Sequence, residues 1–100
     1  MDNKIVWSEK SQKTFNDIIE YLLKEWTEKE ILNFIDLVHS KLDLLYSFPY
    51  SGTTVPNRKN TFRTVIHKRV ILIYDYKPLK KKVTLLFFWN TRQDPKGLKF

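Results

Sequence analysis

Residues 70–89 read VILIYDYKPLKKKVTLLFFW, and this stretch decides the fold. Val70 to Tyr76 is β-branched or aromatic almost throughout. Such residues suit a pleated strand, and an apolar run without alternation marks a strand covered on both faces. Val83 to Trp89 is a second continuous apolar run. Between them, Lys77-Pro78-Leu79-Lys80-Lys81 makes a short basic turn. Two strands joined so briefly must run antiparallel.

Working upstream, Phe62 to Ile66 alternates. Phe62, Thr64 and Ile66 share one face, and Arg63, Val65 and His67 fall on the other. This third strand completes an antiparallel meander. Residues 47–61, SFPYSGTTVPNRKNT, are loop, punctuated by Pro49, Gly52, Pro56 and a Ser/Thr/Asn cluster. Before them the period changes. Phe15, Ile18, Ile19, Leu22, Leu23 and Trp26 form one stripe of an amphipathic helix, with Ser8 as its N-cap. Thr27-Glu28-Lys29-Glu30 has the form of a capping box, opening a second helix striped by Ile31, Ile35, Val38, Leu42 and Leu45. So short a break folds the helices into an antiparallel hairpin. Neither layer can bury its apolar side alone, so the hairpin covers one face of the sheet. Lys4 to Trp7 pairs as a short edge strand. The expectation is an α+β domain spanning 1–100, with element order β-α-α-β-β-β.

One hundred residues support one domain and one modest core. With 42% apolar and 15% aromatic residues, the chain is not disordered. The absence of cysteine excludes a disulfide scaffold, thiolate metal ligation and a cysteine nucleophile. The N-terminal MDNKIVWSEK carries no apolar signal segment, and no run approaches a membrane span, so a cytoplasmic protein without a membrane partner is expected. Residues 1–50 carry six Lys/Arg against nine Asp/Glu, a net −3. Residues 51–100 carry twelve against two, a net +10. A charge so confined to one half suits a polyanionic partner, either nucleic acid or an acidic protein, although exposed lysines also serve plain solubility.

The chain has no glycine-rich phosphate loop and no glycine-flanked serine elbow. His39 and His67 are its only histidines, and no metal and no cofactor are expected. The candidate chemistry rests on cations. Arg63, Arg69 and Arg92, converging on a sheet face left open by the helices, would form an anion site. Planar guanidinium forks fit phosphate and stabilise the charge of a phosphoryl-transfer transition state. Arg58, Lys59 and Lys68 would add nucleic-acid contacts. Each has a plainer reading: Arg63 solvates a strand edge, and Arg69 pairs with Asp75. Asp94 before Pro95 is a turn former or an arginine partner rather than an acid catalyst. His67 could transfer a proton, though its Lys68-Arg69 neighbours disfavour its charged form. Trp7, Trp26 and Trp89 are core or interface anchors.

The ordered set of elements, with VWSEKSQKTFNDIIEYL (6–22), FRTVIHKRVILIYDY (62–76) and VTLLFFWNTRQDP (83–95), resembles the RelE/ParE superfamily of bacterial toxins. The resemblance implies the toxin of a type II toxin–antitoxin pair, neutralised by an antitoxin whose acidic segment covers the basic sheet face. RelE-like members cut mRNA in the ribosomal A site, with the RNA 2′-hydroxyl as nucleophile. ParE-like members poison DNA gyrase and lack the nuclease residues. By that resemblance Arg63 stands where RelE-like toxins carry a lysine, and Val65 stands where a second lysine belongs. Arg69 and Arg92 match the arginines that open the central strand and follow the last one. The C-terminal tyrosine has no counterpart, because the only aromatic after Arg92 is Phe100. The expected function is a ribosome-dependent mRNA endoribonuclease, with Arg63, Arg69 and Arg92 gripping phosphate and His67 moving a proton. The alternatives are a non-enzymatic gyrase inhibitor and a detoxified module that binds RNA or antitoxin.

Overall fold

The computed structural model describes residues 3–67 and 69–91. Its elements are β1 (Lys4–Trp7), α1 (Glu9–Glu25), α2 (Glu28–Ser47), β2 (Thr53–Thr54), β3 (Thr61–His67), β4 (Val70–Lys77) and β5 (Lys82–Asn90). A short 3-10 turn, Pro78–Lys80, joins β4 to β5. This is the expected α+β order, with one addition. The two-residue β2, inside the stretch read as loop, pairs with β3 at Thr53–Arg63 and Thr54–Phe62.

The sheet runs β1-β5-β4-β3-β2. Every pairing is antiparallel except β1–β5, which is parallel. The caps read from the sequence are present. Ser8 Oγ accepts the Ser11 N–H at 3.0 Å. Thr27 and Glu30 form the reciprocal box, with Glu30 N–H donating to Thr27 Oγ1 and Thr27 N–H to Glu30 Oε1, both at 3.2 Å. Ser8 also ties α1 to the sheet: its hydroxyl donates to the Leu86 carbonyl and its N–H to that of Leu85. Past the end of β1, the Phe88 N–H finds a substitute partner in Thr14 Oγ1 at 2.9 Å. A buried N–H left without one would cost about 1–3 kcal/mol.

The core lies between the helices and one sheet face. Ile18, Leu22, Phe34, Val38 and Leu45 meet Leu72, Tyr74, Val83, Leu85 and Phe88 there. Trp7 packs into this layer between Phe15 and Phe88. The face turned away from the helices carries exposed Arg63 but is not basic throughout. Its centre is a second apolar cluster of buried Ile71, Ile73 and Phe87, with Leu86 and Trp89 packed against it. Period-two alternation along β4 dictates this, since the unbroken apolar run Val70–Tyr74 loads both faces.

Two irregularities shape the sheet. Between Ile73 and Tyr74 the β4–β5 register shifts, leaving Leu86 as the extra residue of β5. Between Val65 and His67 the β3–β4 register shifts in the same way. Neither bulge contains a glycine or proline that would announce it in the sequence.

Candidate functional site

β3 places Arg63 opposite Ile73 on one side and Thr53 on the other. Its side chain is exposed on the face away from the helices, as alternation requires. Val65, two positions on, shares that face and is 56% exposed. The next residue expected there is His67, and it is elsewhere. The Val65–His67 bulge adds one residue and swings the imidazole to the helix side. Its ring lies 5.1 Å from that of Trp26 and 6.5 Å from that of Phe34. With Trp26, Glu30, Asn33, Phe34 and Leu37 it lines a shallow pocket of about 190 Å³. The whole thickness of the sheet separates His67 from the Arg63 face.

Arg69 stands in the β3–β4 turn, half-exposed. Its N–H reaches His67 Nδ1 at 3.4 Å, and its carbonyl accepts the Thr91 N–H at 2.7 Å. A pairing of Arg69 with Asp75 is overturned. Six residues of extended β4 separate them, roughly 20 Å, and Asp75 Oδ1 accepts the Thr61 hydroxyl at 2.6 Å. Arg63 and Arg69 stand at different points along the sheet. Four residues of β3 lie between Arg63 and the turn, roughly 13 Å. Arg58 and Lys59 are exposed in the loop at the opposite end of β3. Lys68 and Arg92, and with Arg92 the Gln93-Asp94-Pro95 turn, lie outside the described residues. Among the described residues after α2, the cations therefore gather at the end of the sheet that holds Arg58, Lys59 and Lys77, with Arg69 at the other end and Arg63 between.

Around this site sits a built-in brace. The Tyr74 hydroxyl donates to the Pro49 carbonyl at 2.9 Å and accepts the Gly52 N–H at 3.0 Å. Burial of the ring raises the phenol above its ordinary 10.0, and hydrogen bonds from Gly52 and Ser51 offset part of that rise. This brace clamps the loop that carries β2 beside Arg63. His39 is exposed on α2, away from these groups. Among the described residues, no cluster of three or more His, Cys, Asp or Glu is placed to hold a metal ion. The sequence reads Lys77, Lys80 and Lys81 as a basic turn and assigns them no role, and Lys82 pairs with Lys77 beside them. The register shows them to be the densest cationic group on the described part of the sheet. The run Lys80-Lys81-Lys82 was the available signal.

The family model for the ParE toxin of the type II toxin–antitoxin system, parDE, matches residues 5–95. The chain belongs to the ParE toxin family. This ParE-family chain is also similar in fold to solved structures. A chain of the chromosomal ParDE toxin–antitoxin system from P. aeruginosa superposes with a TM-score of 0.70 at 11% identity, covering 88% of this chain and 95% of that one. The isolated E. coli RelE toxin gives 0.61 at 9% identity, covering 94% and 89%. A chain of the RelBE2 toxin–antitoxin complex from Mycobacterium tuberculosis gives 0.57 at 11%, covering 90% and 99%. At such identities the likeness is one of fold. No curated protein matches the sequence. No helix among the described residues is long and apolar enough to cross a membrane. The family places this ParE-like chain within the RelE/ParE superfamily, as a toxin of a type II system.

Proposed function

We propose that this toxin arrests growth by binding its target rather than by cutting RNA, and that the target is DNA gyrase, as in ParE-like members of the superfamily. The observation that carries the reading is the bulge at Val65–His67. It packs the imidazole against Trp26 and Phe34, on the opposite side of the sheet from Arg63. General acid–base catalysis needs the proton carrier within hydrogen-bond reach of the reacting group. Beside Arg63, the position that would face a bound phosphate is taken by Val65, which can neither move a proton nor hold an anion. The match of the ParE family model over residues 5–95 supports the same reading.

Exposed Arg63 is the feature that favours the alternative, a RelE-like ribosome-dependent endoribonuclease. Two assays on the purified protein separate them. Gyrase supercoiling should be inhibited with a trapped cleavage complex, while mRNA on active 70S ribosomes should stay intact. A-site cleavage that disappears in Arg63→Ala would establish the ribonuclease and remove the gyrase reading. Within the proposed mechanism His67 is a packing residue. His67→Phe, which keeps the ring contacts and discards the titratable group, should therefore retain full growth arrest on induction.

The partner we assign is the cognate antitoxin, with acidic residues set against the cationic sheet layer. Co-purification with the small acidic product of a neighbouring reading frame, and rescue of growth by it, tests this.

A further inference from the structure

We propose that the end of the sheet formed by loop 57–60 and hairpin 77–82 is a docking surface for a nucleic-acid phosphate backbone, separate from Arg63 and Arg69. It does not rest on which target the toxin poisons.

Three observations carry it. First, the two loops meet. Tyr76 N–H donates to the Asn60 carbonyl at 2.9 Å, and Thr61 pairs with Asp75, so Arg58 and Lys59 share one sheet end with Lys77, Lys80, Lys81 and Lys82. From residue 48 to residue 91 the single carboxylate is Asp75, already occupied by the Thr61 hydroxyl. Second, the lysines are stacked against one another. Lys4 pairs with Lys82, and Lys82 pairs with Lys77, so three lysines stand in one cross-strand row over β1, β5 and β4. Their neighbours Ile5, Val83 and Tyr76 face the helices, so the row lies on the opposite face, the one that also carries Arg63. Like charges directly opposite each other in a sheet destabilise it. A polyanion laid across the row removes that penalty. Third, the backbone holds the charges in fixed places. The 3-10 turn closes with Lys81 N–H donating to the Pro78 carbonyl, and Lys81 itself adopts φ 49°, a left-handed conformation natural to glycine or asparagine.

The chemistry selects the occupant. Flexible ammonium groups serve as point charges for phosphate without reading sequence. A folded protein partner would need a pocket for an apolar anchor. Leu79, the large apolar side chain at this tip, projects fully exposed instead of lining one.

Fluorescence anisotropy with the full chain tests the assignment, using labelled duplex DNA and an RNA hairpin of about 20 base pairs over a range of salt. The wild type should bind both, with log Kobs falling linearly against log salt. Lys4→Gln/Lys77→Gln/Lys82→Gln should flatten the DNA slope by roughly 2.7, about 0.9 for each phosphate no longer neutralised, whereas Arg63→Gln should remove no more than one such step. The triple variant should melt at or above the wild type in low salt, because the repulsion is gone. The proposal is overturned by an unchanged slope in the triple variant, or by an equal loss in Arg63→Gln. Tighter binding to poly-glutamate, or binding confined to phosphatidylserine vesicles, would equally overturn it.

Discussion

Gly52 shows how a single residue fixes the site. A Cβ at this position would lie 2.6 Å from Tyr74 Oη and 2.8 Å from the Arg63 carbonyl oxygen. The constraint is steric rather than conformational, since Gly52 is not a positive-φ residue. Gly52→Ala should therefore cost about 1–3 kcal/mol, the range for forcing atoms into a packed site. For a domain this small, that is a melting temperature lower by about 4–8 °C per kcal/mol. The hydroxyl it touches makes a second prediction. The unfolded chain releases the Tyr74 proton near pH 10.0, and the buried ring in the folded chain releases it only above that. Folding thus favours the neutral phenol. Its contribution is complete below pH 10 and is lost as the pH rises through the folded value. Urea unfolding between neutral and alkaline pH should show this fall, and Tyr74→Phe should flatten it. The phenylalanine variant should also be less stable at neutral pH by about 1–3 kcal/mol, because the Gly52 N–H and Pro49 carbonyl lose their partner.

At the scale of elements, the sequence was most legible where one local rule acts alone. The helices announce themselves by a stripe and a cap, and Thr27-x-x-Glu30 forms the reciprocal box that its spacing promises. Thr27→Ala should cost about 1 kcal/mol, read as a lower midpoint in urea with an unchanged slope. A larger loss would mean that the cap also sets the angle between α1 and α2. β4 was legible too, because its buried residues load both faces and only a central strand satisfies such a pattern. What the sequence hid depends on register. β2 is two residues long and owes its pairing to the Tyr74 brace rather than to any run of its own. The extra residue at Val65–His67 changes the face of one imidazole without changing any residue's character. The arginine site was built on uninterrupted alternation, so it lost His67 at that bulge. The plainer pairing of Arg69 with Asp75 failed for a related reason. Residues six apart along a strand are far apart in space, however near they stand in the sequence.

For the whole molecule, the division of charge follows the division into layers. The half with net −3 supplies β1 and both helices, and the half with net +10 supplies β2 to β5. The protein is therefore acidic on its helical side and basic on its sheet side, with the described cations densest at one end of the sheet. Such a dipole acts before contact, orienting an acidic partner toward the sheet as the two diffuse together. Charge of this kind changes the on-rate more than the final affinity, whereas buried apolar contact governs dissociation. Stopped-flow mixing with the antitoxin should show an association rate that falls by an order of magnitude or more from low to high ionic strength. The dissociation rate should change far less. An association rate that rises with salt would mean that the antitoxin approaches the helical side, whose own negative charge repels it until salt screens the repulsion.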